Sequence, residues 1–311
     1  MSHPSQRAVL TAPWGDMGRA IRSPHNLASI LTEAGLDWTV EKVPLFGHVD
    51  GEWIPANHFF LVRSSDHEIL SEVPDEWCPT QNRDAMDMFL IATKQGRMKI
   101  HTAGVAHGGK IVWAVARMNH VFKIGEDEVT GHLLMSNAHV WGQAAEIRCM
   151  PIREASQTSV LLQIANVRKS KSSRITHRSE ISPERVKHDI SMAQARMLAY
   201  EHSAQFLSGK KFTPKSVKEF IETLFPVATR GGVPTKIVSL PAQNVLKTLD
   251  IYPGAQLVKG SWWQAFHAVC FHIDHIHGRS LDTRLTNAWF GPGDRLKTAA
   301  LQLAIRMAEK G

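Results

Sequence analysis

A chain of 311 residues with 43% hydrophobic and 21% charged side chains can bury a core of its own, which excludes a disulfide-dependent miniprotein and a disordered polyelectrolyte. The net charge of +7 favours a polyanionic partner over an acidic surface. Three scattered cysteines, Cys78, Cys149 and Cys270, form no CxxC and point to a reducing cytoplasm, and no apolar run reaches the roughly 20 residues that span a bilayer.

In chain order, residues 1–23 form an irregular N-terminal arm without the apolar stretch of a signal peptide. Ser23-Pro24 opens a helix over 24–34, stopped by Gly35. Residues 38–46 and 58–64 have strand character and are linked by a turn at Asp50-Gly51; 69–73 extends their sheet. Thr80-Gln81-Asn82 opens a helix over 83–94, with Met86, Phe89, Leu90 and Thr93 on one face and Gly96 at its end. The clearest hairpin follows, 98–105 and 111–118, one face packed and one solvated. Its turn is His107-Gly108-Gly109-Lys110, where the glycine pair supplies positive φ. Strands at 133–136 and 147–152 complete the sheet. From Ser182-Pro183 the period becomes helical: 184–207 through Val186, Ile190, Ala193, Met197, Tyr200 and Ala204, then 214–224, 242–248, 262–274 and 294–309. The expected class is α+β, an antiparallel sheet with a β-hairpin in the N-terminal half and helices in the C-terminal half. Its parts are the arm (1–23), a sheet region (24–165), a basic segment (166–188) and a helical region (189–311).

The basic segment, NVRKSKSSRITHRSEISPERVKH, sets seven cations against Glu180 and Glu184 and so carries +5 of the +7. Ser170, Ser172, Ser173, Thr176 and Ser179 lie between them. Cations displace counterions from phosphates, and small hydroxyls fix register, so the pattern suits a nucleic-acid backbone. A solvated basic loop is the plain alternative. The candidate nucleic-acid-binding residues are Lys110 at the hairpin tip and Arg168, Lys169, Lys171, Arg174, Arg178, Arg185 and Lys187. The run His267, Cys270, His272, Asp274, His275, His277 has metal-ligand residue types three apart, yet no HExxH and no closed set. No metal is expected; His272, Asp274 and His275 are the candidates should one bind. Ser136 and Ser156 lie in no GxSxG, and the His107–Lys110 turn lacks the phosphate-loop pattern. No catalytic residue and no cofactor are assigned. Tryptophans such as Trp113, Trp141 and the Trp262-Trp263 pair are core by default, and an exposed one beside the basic segment would stack bases.

Several stretches are familiar. AGLDWTVEKVPLF (34–46), Pro79-Thr80-Gln81-Asn82-Arg83, TAGVAHGGKIVWAVARM (102–118), LLMSNAHVWG (133–142), RITH (174–177), residues 263–275 and NAWFGPGDRLKTAALQLA (287–304) resemble, in order, the phage/plasmid-like family of domain of unknown function 932. One departure is Glu154-Ala155-Ser156-Gln157-Thr158, which stands where the family has a cysteine-and-asparagine motif, so a thiol role there does not carry over. The mobile-element setting implied by the resemblance suggests phage or plasmid DNA metabolism in a bacterial host cell. There, single-strand annealing proteins of the Redβ/RecT/Erf type combine a sheet, a hairpin, a helix and a basic groove, and assemble into rings or filaments; the comparison is one of architecture. The expectation is a cytoplasmic, single-stranded DNA-binding protein that anneals DNA as a homo-oligomer, with no membrane partner and no enzymatic step. The alternatives are a metal-dependent nucleic-acid enzyme and a protein-binding host-takeover or antirestriction factor.

Overall fold

The computed structural model describes residues 12–143, 145–163, 183–227, 229–230, 233–234 and 238–310. Within the stretch expected to be irregular, Gly18–Ala20 forms an edge strand, β1. Trp14, just before it, is buried, and that anchors the segment. Helix α1 (Leu27–Ala34) starts later than the Ser23-Pro24 signal because Asn26 supplies the cap, its side chain accepting from the Ser29 N–H; Gly35 at φ 68° stops it. β2 (Val40–Val49), β3 (Glu52–Arg63) and β4 (Ile69–Pro74) make a small antiparallel sheet. The Asp50-Gly51 turn has positive φ at both residues, 49° and 88°. α2 (Asn82–Gln95) buries Met86, Phe89, Leu90 and Thr93, the face expected of it.

The main sheet is antiparallel in the order β1, β5 (Lys99–Ala106), β6 (Ile111–Ile124), β7 (Asp127–Ala138), β8 (Glu146–Arg153), β10 (Leu162–Gln163), with β9 (Thr158–Ser159) also on β8. The hairpin expected around His107–Lys110 is therefore its centre. The expected solvated face is confined to its open end, where Lys99 and Arg117 pair and are exposed, while every residue from Ile111 to Ala116 is buried, as in a strand covered on both sides.

The C-terminal half is helical: α3 (Pro183–Gly209), α4 (Pro214–Leu224), α5 (Leu240–Thr248), α6 (Trp262–Phe271), α7 (Leu281–Phe290) and α8 (Pro292–Lys310). The helix expected over 262–274 changes at His272 into a π turn, His272–Ile276. Helix α7 is an addition to the sequence expectation, capped by Ser280, which accepts from the Thr283 N–H. One continuous core joins sheet and helices. At its centre Trp14, Trp113 and Trp289 meet at ring-centroid distances of 6.1, 6.1 and 5.4 Å. Among the described residues no helix is long and apolar enough to cross a membrane.

Candidate functional site

A cleft of about 840 Å³ opens where α2 returns into β5 and where β6 leaves its regular pairing. Arg97, Lys99, Arg117, His101, His132 and Asn119 supply its polar lining, with Met98, Met118 and Val121 between them. Three local irregularities build it. First, the helix ends as a glycine cap would, yet Gly96 keeps φ −76° and Arg97 takes the left-handed conformation at φ 53°. An arginine held there costs about 1–2 kcal/mol, a strain that persists where the surrounding structure imposes it. Second, β5 bulges between Ile100 and Thr102, so His101 is an extra residue opposite β6. A bulge re-aims a side chain, and His101 now lines the cleft. Third, β6 bulges between Arg117 and Val121, and Met118, Asn119 and His120 face only Gly131 on β7.

The electrostatics are one-sided. Arg97, Lys99 and Arg117 are exposed, have no ion-pair partner among the described residues, and share a cleft with no carboxylate in its lining. The histidines do not add charge at neutral pH. Burial, with help from Arg117, lowers the His101 pKa. Burial, and then His101 and Arg117, push His132 down to about 3. The two rings lie 5.6 Å apart, and His101 Nε2 has no hydrogen-bond partner. The arrangement is thus three free cations around neutral imidazoles and one amide, suited to a phosphate or another oxyanion. By contrast, a hollow of about 460 Å³ on α4 is lined by Lys215, Lys218, Glu219, Glu222 and Thr223, whose charges cancel.

None of the cleft residues was a sequence candidate, because strand bulges depend on pairing that no local pattern reveals. Arg168, Lys169, Lys171, Arg174 and Arg178 lie outside the described residues. Arg185 and Lys187 fall within α3, and their side chains are outside the described set. Lys110 is half-buried beside the β5–β6 turn. That turn does hold an anion, the chain's own: the N–H groups of His107 and Gly108 donate to the Asp282 carboxylate at 2.6 and 3.0 Å. The tip is therefore docked on α7.

The histidine-rich stretch is packed against β9. Asp274 accepts from Lys297 Nζ at 2.8 Å and from the Ser159 N–H at 2.7 Å; His275 Nε2 meets the Gln157 carbonyl at 3.0 Å. His272 is buried against Phe225, and burial pushes its pKa down to about 4. Asp274 and His275 are committed to separate protein partners, and among the described residues no three His, Cys, Asp or Glu side chains are placed to hold a metal ion. Ser156 and Thr158 are hydrogen-bonded at 2.9 Å, and Thr158 meets His267 Nδ1 at 2.8 Å. All three are buried, so this chain of polar groups reaches no solvent. Burial likewise pushes the Cys149 thiol up to about 12.

Residues 69–290 match the family described as Domain of unknown function (DUF932). The chain belongs to that family. No curated protein and no solved structure matches it. The DUF932 span contains every residue of the cleft, and leaves out α8 and the β2–β3 hairpin.

Proposed function

We propose that this DUF932 protein binds single-stranded DNA, with phosphates seated on Arg97, Lys99 and Arg117, and that it promotes annealing as a homo-oligomer in phage or plasmid recombination or replication within the bacterial cytoplasm. The observation that supports this is the cleft itself: three cations without carboxylate partners around one recess. Cations on a flexible strand's path displace counterions, and the exposed Val121 among them offers apolar contact to a base. A recess of about 840 Å³ has room for a phosphate and a base. The basic segment, with Arg168, Lys169, Lys171, Arg174 and Arg178, extends the proposal on its composition.

The test is the affinity for an oligothymidylate measured against salt, with chelator present. Each phosphate contact contributes about −0.7 to the slope of log affinity against log salt, so three cleft contacts contribute about −2. Arg97→Ala, Lys99→Ala and Arg117→Ala together should flatten the slope by that amount. They should also slow pairing of complementary strands in a fluorescence annealing assay. An unaltered slope removes the cleft from the binding surface. Binding or strand cleavage that vanishes with chelator would favour a metal-dependent nucleic-acid enzyme instead.

A further inference from the structure

The outer part of the β2–β3 hairpin rests on nothing. Residues 46–58 are exposed without interruption, along both strands and on both faces. β4 pairs only with the inner part of β3, from His58 to Val62, so beyond that point two strands stand alone with both edges free. The register places Phe46, His48, Trp53 and Pro55 on one face and Val49 and Ile54 on the other. Trp53 is 70% exposed, Val49 53%, Ile54 49% and Phe46 48%. An isolated two-stranded ribbon is marginal in water, and apolar side chains on both its faces amount to an uncovered surface. Such an arm is built to be enclosed.

Its charge says by what. Residues 46–58 contain Asp50 and Glu52 and neither lysine nor arginine, a charge of −2. With +7 on the whole chain and −2 on the arm, the rest carries +9. The two tip carboxylates repel a phosphate backbone and attract a basic protein surface, and the body of this protein is one. We propose that the β2–β3 arm docks on the body of a second copy of this chain, its tip acids against that copy's cations and its free β2 edge and apolar faces covered there. The contact runs arm to body, so it closes as a reciprocal exchange between two copies or propagates into a ring or filament. It supplies the interface for the homo-oligomer of the proposed function, but it does not require DNA.

The experiment reads mass by light scattering on the full chain without DNA. The wild type should run as an assembly of two or more copies. Replacing residues 46–57 by Asn-Gly should reduce it to one chain, and so should Phe46→Ser with Trp53→Ser. Asp50→Lys with Glu52→Lys should shift the mass toward one chain through the tip charge alone. Thermal unfolding of these variants at matched protein concentration separates lost docking from lost folding, because residues 46–57 pair only with each other and His58, which meets β4, is kept. A tagged armless copy should still capture an untagged full-length copy, since its body remains an acceptor. A monomeric wild type overturns the proposal, as does an armless variant that keeps its mass. Failure of the armless copy to capture the full-length chain overturns the arm-to-body geometry. Loss of oligothymidylate affinity with unchanged mass assigns the arm to DNA and not to a second copy. Loss of salt-dependent DNA binding in the cleft variants, with mass intact, bears on the cleft alone.

Discussion

Two sets of charges in this protein obey opposite rules. At the seam between sheet and helices, Lys297 and Asp274 are 0% and 1% exposed and 2.8 Å apart, and Arg153 and Asp127 are both 0% exposed and 2.7 Å apart. Both pairs are held in a hydrogen-bonded network. Ser159 accepts from Lys297 and donates to Asp274, Tyr252 and the Gly254 carbonyl take Arg153, and the Trp263 N–H goes to Asp127. Across the sheet, Arg97, Lys99 and Arg117 stand in water with no partner among the described residues. Desolvation explains the contrast. A buried charge survives only when paired and fully hydrogen-bonded, whereas an exposed cation keeps its hydration until a ligand replaces it. The paired set is part of the folded interior, and the free set keeps its water.

Acid should weaken the buried interior first and most. His132 is pushed down to about 3, His139 and His272 to about 4, and His267 well below the usual range, in each case chiefly by burial. Between about pH 6.5 and 4 the unfolded chain therefore binds protons that the folded one refuses. Stability falls with falling pH by about 1.4 kcal/mol per unit for each such histidine. Urea midpoints at pH 7 and pH 5 measure this, and equal midpoints would refute it.

Removing one partner of a buried pair comes next. Lys297→Met leaves Asp274 charged and unpaired and should cost about 3–5 kcal/mol by urea unfolding. Adding Asp274→Leu should recover part of that loss, since no charge is then stranded. A single-variant loss under about 1 kcal/mol would mean the pair is replaced by water.

The cleft responds in the other direction. Arg97→Gly frees the left-handed residue from its strain and should raise stability by about 0.5–1 kcal/mol while weakening oligothymidylate binding. A variant that is both less stable and equally tight would invert the comparison. The smallest effect belongs to His101. A phosphate in the cleft offsets Arg117, so it raises the His101 pKa and DNA binding takes up a fraction of a proton. Affinity should therefore rise from pH 8 to pH 6 more in the wild type than in His101→Gln.

Local chemistry was the legible part of this chain. The Gly35 stop, the Asp50-Gly51 and Gly108-Gly109 turns and the apolar face of α2 can all be read from a few neighbouring residues, because caps and turns are set by backbone conformation within a short window. Helix α4 carries its own label in the Thr213–Ser216 capping box. Helix α7 had a comparable signal in Ser280 but buries only Leu285, Ala288 and Trp289, too few to display a period. The cleft was hidden for a different reason. His101 and Asn119 owe their positions to mismatched strand pairing, and Arg97 to a helix end that looks like an ordinary glycine stop. Lys297 and Asp274 are 23 positions apart in sequence, and their pairing is fixed only once α8 is laid against the π turn.

The place of Lys297 also says where this protein can be cut. The family span ends at residue 290, and the amine that neutralises Asp274 lies beyond it, in α8. Upstream, Trp14 and β1 lie outside the span too, closing the tryptophan cluster and the β5 edge. A fragment trimmed to residues 69–290 would expose one edge of its sheet and strand a carboxylate in its interior. The matched span is shorter than the packed core to which it belongs.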